Sequence, residues 1–300
     1  ILQHSTDELV ATVNGREASP DLPLGEYRVV EKTAPDGFVL DTTPHIVDLI
    51  YKGQNISVYT EPVTVHNERQ KATVSITKAI EDNPIFPNPD AYQFIRFGIF
   101  AAQDFIDSSG GVVIPKDSLV EIFSIDETLQ GVSSIDLPIG SYYLKELQTA
   151  PGWVLNETIY PFTFEAQPQE VPAIIIDPSD GEPIENSTVK GFIEIIKKPV
   201  LPETHQGLFV PSGLPAGEAV YGVFTPDGNQ VDEMITDEDG YAQSSILPYG
   251  EYYVVELVPP FGFELDPIQY PASIQGNGEI ISLESTDIAR IGIVRGSYRD

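Results

Sequence analysis

Cysteine is absent from the 300 residues of this chain. That excludes a disulfide framework and any thiolate metal site, so rigidity must come from other chemistry. Basic residues are scarce: 16 Lys and Arg stand against 46 Asp and Glu, a net charge of −30. Such a balance excludes nucleic acid as a partner, because that binding rests on cations placed at phosphates. Anionic membrane surfaces are disfavoured for the same reason. The charge reads as that of a soluble, self-repelling surface protein, with a calcium-dependent protein as the lesser alternative. No apolar run is long enough to cross a bilayer, so no membrane insertion is expected in this segment. Helical periodicity is missing as well. No secretory signal opens the chain, and Ile1 reads as a cut point in a longer precursor.

Histidine is sparse too. His4, His45, His66 and His205 are scattered, with no Ser–His–Asp order, metal cluster or phosphate-binding Gly loop around them. An enzyme is therefore not expected, and no cofactor is called for.

What is present is turn and strand chemistry. There are 26 Pro and 24 Gly, and with frequent Val, Ile and Tyr they predict many short strands joined by turns. One stretch occurs three times without a gap: Leu22–Phe38, Leu137–Trp153 and Leu247–Phe263. Its pattern is Leu-Pro-x-Gly-x-Tyr-x-x-x-Glu, five residues, then Gly and an aromatic. The chain is thus a tandem array. Leu-Pro-x-Gly is a turn, and the strand that follows alternates its side chains between two faces. Tyr27, Val29 and Glu31 share one face, as do Tyr142, Leu144 and Glu146, and Tyr252, Val254 and Glu256. Two of each three are apolar or aromatic, which makes this the core face and turns the glutamate inward. A buried carboxyl must be protonated or hydrogen-bonded to a partner. Phe38, Trp153 and Phe263 read as packing residues rather than a sugar platform.

A second unit recurs between these stretches. Asn67 is followed eleven residues later by Lys78, and Asn186 by Lys197, each Lys ending an alternating strand. Asp287 heads a third version, in which Tyr298 takes the Lys position. Each Asn or Asp is placed in the last strand of one domain, with Asn186 at the start of that strand, and each Lys in the first strand of the next. The expected units are 1–71, lacking its first strands; 72–191 and 192–291, both complete; and 292–300, the opening strand of a further domain. Leu9–Val13 has strand-like spacing, and residues 39–66 should supply later strands of the first unit. Tyr92–Asp104 and Glu218–Pro226 are matching second strands, and Asp237–Gly240 is a hairpin turn. Residues 292–300 could also complete the first unit of another copy, head to tail.

A Lys, a Glu and an Asn sharing one core make a specific chemical proposition. Desolvation favours the neutral amine and the neutral acid, which makes the amine nucleophilic. A neutral acid can donate to the asparagine carbonyl and polarise it, the amine attacks, and ammonia leaves. The product is an isopeptide bond between first and last strands, which would replace the missing disulfides. The sets are Lys78, Glu146 and Asn186; then Lys197, Glu256 and Asp287, where water leaves and the Asp must be protonated. In the first unit Glu31 and Asn67 are present without a lysine. The plainer readings are a solvated strand-end Lys78, an Asn186 or Asp287 that only makes a turn, and glutamates that only hydrogen-bond a lysine.

These motifs resemble the B-type repeats of Gram-positive collagen-binding adhesins, the CnaB or SpaA-type pilin domains. The resemblance covers essentially the whole chain. It implies an all-β array of prealbumin-like, Ig-like sandwiches, each with a self-formed isopeptide bond. It further implies an extracellular stalk or shaft in a pilus or wall-anchored adhesin. Neighbouring copies of itself or other pilus subunits are then the partners. The alternative is an adhesin module for host extracellular matrix protein or glycan. A binding tip should break the repeat with a large insertion, and His205–Gly217 is the longest candidate. Lys198 competes with Lys197 as the third-unit lysine; the alternation favours Lys197.

Overall fold

In the computed structural model of the chain, residues 1–200 and 217–290 are described. The first repeat forms a three-stranded antiparallel sheet of β1 (Leu2–Gln3), β2 (Gly25–Val29) and β3 (His45–Leu49), with β2 in the middle. In the second repeat β4 (Lys71–Ile80) leads into β5 (Arg96–Ala101), a small hairpin of β6 (Phe105–Ile106) and β7 (Val112–Ile114), and β8 (Leu119–Ser124). Then follow β9 (Gln130–Val132), β10 (Gly140–Gln148), β11 (Tyr160–Phe164), β12 (Ala173–Ile176) and β13 (Ile184–Asn186). One sheet runs β11-β10-β5-β8 and the other β12-β4-β13, with β9 also on β4. The third repeat begins with β14 (Lys190–Val200) and continues through β15 (Val220–Phe224), β16 (Gln230–Ile235), β17 (Tyr241–Gln243) and β18 (Leu247–Pro248). It ends with β19 (Gly250–Val258), β20 (Gln269–Ile274) and β21 (Glu279–Ile288). Its sheets are β16-β15-β19-β20 and β17-β14-β18, with β21 also on β14. The second and third repeats are tandem β-sandwiches, as the repeats predict, and the first is a single three-stranded sheet.

Alternation builds each core. Val74 and Ile76 from β4 meet Phe97, Ile99, Tyr142 and Leu144 from the facing sheet. Ile193 and Ile195 from β14 meet Tyr221, Val223, Tyr252 and Val254 in the third repeat. Burial of such side chains contributes about 25 cal/mol per Å² of apolar surface, and it is what holds the sheets face to face.

The recurring stretch is a self-bracing corner. Its Tyr hydroxyl reaches back to the Pro carbonyl four residues earlier: Tyr27 to Pro23 at 2.8 Å, Tyr142 to Pro138 at 2.6 Å and Tyr252 to Pro248 at 2.7 Å. Its second Gly has φ of +82°, +92° and +92° at Gly37, Gly152 and Gly262, a conformation that excludes side chains. The carbonyl of that Gly accepts the N–H of the segment leaving the repeat, from Gln70, Val189 and Arg290, each at 2.8 Å.

Successive repeats dock through the same corner. A Cβ at Gly37 would lie 2.5 Å from Ile139, and one at Gly152 2.8 Å from Tyr249, each the third residue of the next Leu-Pro-x-Gly. Between the second and third repeats, Phe86 also inserts beside Tyr252, with ring centroids 5.4 Å apart at 79°. Asn83 shapes that loop, accepting the Ile85 and Phe86 N–H groups while donating to the Tyr249 carbonyl.

Four expectations need correction. Leu9–Val13 is not a strand; Leu9 makes one isolated bridge to Leu2, Val10 and Ala11 donate to the Ile1 carbonyl, and the segment is largely exposed because the β1 edge it meets is only two residues long. Of residues 39–66 only His45–Leu49 is a strand, since nothing equivalent to β4 lies beside the rest. The second strand begins at Arg96 rather than Tyr92, because Ala91–Phe94 winds into a 3₁₀ turn. Asn186 ends its strand instead of heading it, and Asp287 lies one residue from the end of β21. The Asp237–Gly240 turn is as expected, closed by Gly240 N–H to the Asp237 carbonyl at 3.0 Å. Residues 292–300 and the His205–Gly217 stretch up to 216 lie outside the described residues.

Candidate functional site

The lysine strand and the last strand pair in parallel, and their register brings the site together. Lys78 is opposite Ile184, and Asn186 follows two residues on; Lys197 is opposite Ser285, and Asp287 follows two residues on. Residues two apart share a face, so acceptor and amine both point into the core. The glutamate comes from the other sheet, with Glu146 opposite Phe97 and Glu256 opposite Tyr221. Lys198, one residue further, faces solvent and pairs with Glu284 at 2.6 Å.

In the second repeat all three groups are sealed from water: Lys78, Glu146 and Asn186 are 2, 3 and 2 % exposed. Lys78 Nζ lies 3.5 Å from Glu146 Oε1. Glu146 Oε2 accepts the Asn156 backbone N–H at 2.7 Å and Asn186 Nδ2 at 2.8 Å. A second bond from Nδ2 to the Val154 carbonyl, also 2.8 Å, fixes which way the amide faces. The amide nitrogen, not the carbonyl, therefore rests on Glu146, which differs from the expected acid-to-carbonyl bond. Among the described residues Lys78 Nζ, Glu146 Oε1 and Asn186 Oδ1 have no hydrogen-bond partner. The Lys78–Glu146 ion pair thus lacks an aligned hydrogen bond, and the Asn186 carbonyl oxygen is left unsatisfied, which costs about 1–3 kcal/mol. Burial pulls the Lys78 amine down to about 8, against the opposing pull of Glu146. The Phe97 ring lies under the amine, 6.0 Å from Nζ.

The third site is more polar. Lys197 Nζ hydrogen-bonds Glu256 Oε1 and, at 3.0 Å, the Tyr221 hydroxyl. It lies 2.6 Å from Asp287 Oδ2, yet neither oxygen of Asp287 has an aligned hydrogen-bond donor among the described residues. Burial pushes the Asp287 carboxyl up, against the opposing pull of Lys197. Glu256 Oε2 accepts the Asp266 N–H at 2.8 Å. In the first repeat Glu31 Oε2 accepts Asn67 Nδ2 at 2.5 Å and the Asp41 N–H at 2.8 Å, and Asn67 donates to the Val39 carbonyl at 3.0 Å. That is the same frame without an amine, and it is only half-buried.

Sequence reasoning missed two contributors. One is the ring beneath the lysine, Phe97 or Tyr221. The other is the residue ten positions after each glutamate, Asp41, Asn156 or Asp266, whose N–H holds the carboxyl. Each of these also caps an Asx turn, bonding the N–H of Thr43, Thr158 or Ile268. An Asx at the same offset in all three repeats was the available signal. Among the described residues no group of His, Asp and Glu is arranged to hold a metal ion.

Comparison with known proteins agrees with this architecture. The family model for the SpaA prealbumin-like fold domain matches residues 2–64 and 212–289. No curated protein matches the chain. Among solved structures, the Bacillus anthracis TIE protein is similar at 25 % identity and a TM-score of 0.62, over 89 % of this chain and 42 % of that one. The chain thus spans less than half the length of that protein. The Bacillus cereus major pilin BcpA, as its D312A variant, aligns over 95 % of this chain and 93 % of its own at 17 % identity, TM-score 0.36. A C-terminal fragment of the Lactobacillus rhamnosus GG pilus adhesin SpaC aligns over 75 % and 100 % at 12 % identity, TM-score 0.40. With its repeated corner and its paired sheets, the chain is similar to the SpaA prealbumin-like fold domains over the residues that the family model matches.

Proposed function

We propose that the chain is a stalk segment of an extracellular, wall-anchored surface protein or pilus, its sandwiches locked by Lys78–Asn186 and Lys197–Asp287 isopeptide bonds. The observation that carries this reading is the cluster of Lys78 Nζ, Glu146 Oε1 and Asn186 Oδ1 in a dry core, none of them with an aligned hydrogen bond. As free groups they are a costly arrangement; as reactants they are in order. Glu146 takes a proton from the Lys78 nitrogen at Oε1, and the amine attacks the Asn186 carboxamide carbon. From Oε2 the acid delivers a proton to Nδ2, the C–N bond breaks and ammonia leaves. An ammonium, a carboxylate and an amide become an isopeptide, a neutral acid and ammonia, so no charge stays buried. At the third site the Lys197 amine displaces the hydroxyl of a protonated Asp287 carboxyl, and water leaves. Each event happens once per molecule, so the glutamates act without turnover. The expected units are 1–71, 72–191, 192–291 and a further strand at 292–300, with neighbouring subunits as partners.

Intact mass followed by peptide mapping tests the reading. The expected deficit is one ammonia at a branched Lys78–Asn186 peptide and one water at Lys197–Asp287. A mass equal to the sequence would sink the proposal and leave a polar network only.

A further inference from the structure

The second and third sites differ at four places that move together. Asn186 becomes Asp287, Phe97 becomes Tyr221, Ile184 becomes Ser285 and Asn156 becomes Asp266. The new polar groups form one chain. Lys197 Nζ meets Tyr221 OH at 3.0 Å, Tyr221 OH meets Ser285 Oγ at 2.7 Å, and Ser285 Oγ meets Asp266 Oδ2 at 3.3 Å. Tyr270 OH also donates to Asp266 Oδ2, at 2.5 Å. Tyr221, Ser285 and Asp266 are 0, 0 and 5 % exposed, so water does not compete for these bonds.

Both ends of the chain fix its direction. A lysine nitrogen bonded this way donates, and a carboxylate only accepts. The Tyr221 oxygen must therefore accept from Lys197, its proton must go to Ser285, and the Ser285 proton to Asp266. Held by Tyr221 and Glu256, the nitrogen has two of its directions occupied and the third left for Asp287, 2.6 Å away. At the second site Lys78 has no such tether. The difference fits the acceptor. Asn186 is neutral and its leaving nitrogen already rests on Glu146. Asp287 shares its core with Glu256 and Asp266, so an amine at that site has competing carboxyl partners, and its orientation decides which one it meets.

We infer that Tyr221, wired through Ser285 to Asp266, is a positioning residue that adapts the third site to a carboxyl acceptor by aiming the Lys197 amine at Asp287. The inference rests on the isopeptide reading. In the reaction it serves, the Nζ–Cγ bond forms and a Cγ–Oδ bond of Asp287 breaks. Glu256 receives a proton from nitrogen, and the departing hydroxyl receives the other as water. Tyr221 neither gains nor loses a proton.

The test is a pulse of cell-free synthesis of the full chain, followed by intact mass and peptide mapping over time. The Lys78–Asn186 bond in the same molecule is the internal reference. Tyr221→Phe and Ser285→Ala should each slow water loss at Lys197–Asp287 by about tenfold or more, the scale of a misaligned reactant, while ammonia loss at the second site keeps its rate. The combined variant Tyr221→Phe, Ser285→Ile, Asp266→Asn, Asp287→Asn rebuilds the second-site set and should restore fast bonding, now with loss of ammonia. A general structural role for the tyrosine predicts no such rescue. Parent-like rates in both Tyr221→Phe and Ser285→Ala overturn the inference. Absence of any water deficit in the parent chain overturns the isopeptide reading at this site instead.

Discussion

At the scale of single residues, the burial of Lys78 gives a pH signature with a definite sign. Its folded pKa lies at about 8 against an ordinary 10.5. Between these values the unfolded chain binds more protons, so stability rises with pH. The signature needs the amine to stay free, as in Asn186→Ala. In urea titrations that variant should gain about 3 kcal/mol from pH 8 to above 10, relative to Lys78→Met/Asn186→Ala, and be flat below pH 8. Equal pH dependence in the two variants would show that the amine is hydrated. Glu146→Gln is the second residue-scale case. It keeps the hydrogen bond to the Asn156 N–H but cannot take the lysine proton. Mass should show the ammonia deficit gone. Losing the proposed cross-link, which would close a loop of roughly 100 residues, should lower stability by about 4–5 kcal/mol if it acts like a disulfide.

Elements show what was readable in advance and what was not. The inward face of β10 and β19 was legible because three copies placed a glutamate among aromatic and apolar residues with period two. Lys78 and Lys197 were legible by the same alternation. The ring beneath each lysine was not, because Phe97 and Tyr221 reach it through pairing to β10 and β19, a register that no local pattern encodes. Nor could spacing tell that Asn186 ends β13, since strand length is set by the neighbouring edge of β4. Leu9–Val13 failed for the same reason in reverse: it has the pattern of a strand and only the two-residue β1 beside it. A prediction belongs at this scale. Gly250→Ala would place a Cβ 2.0 Å from Phe86 at φ +158°. It should expel Phe86 from the third repeat, whereas Phe86→Ala should leave a gap costing about 1–3 kcal/mol. Both should raise hydrogen exchange at residues 83–90, and unchanged exchange in Gly250→Ala would argue against the docking.

For the whole molecule, the first repeat stands apart. It has one three-stranded sheet, and only Tyr27 and Ala34 among its apolar side chains are buried. The other two repeats each enclose a core between two sheets. Limited thermolysin digestion should therefore cut first within residues 50–66 and leave a resistant fragment beginning near Asn67. Early cleavage inside 72–191 would contradict that order. The net charge of −30 sets a further expectation: added salt should raise the melting temperature, because screening relieves self-repulsion.

The parallel pairing of β4 with β13 and of β14 with β21 has one more consequence. β13 of the second repeat leads almost directly into β14 of the third, so a pull applied at Lys71 and Asp287 travels along β4 to Lys78. With the bonds formed it crosses to Asn186, continues to Lys197, crosses again to Asp287 and leaves. Residues 79–185 and 198–286 lie outside this load path. Tension then meets short stretches of backbone joined by amides, and most of the chain is slack to it. With both proposed bonds in place, residues 71–287 would behave as an inextensible tether, and the folded parts between the bonds could melt without making it any longer.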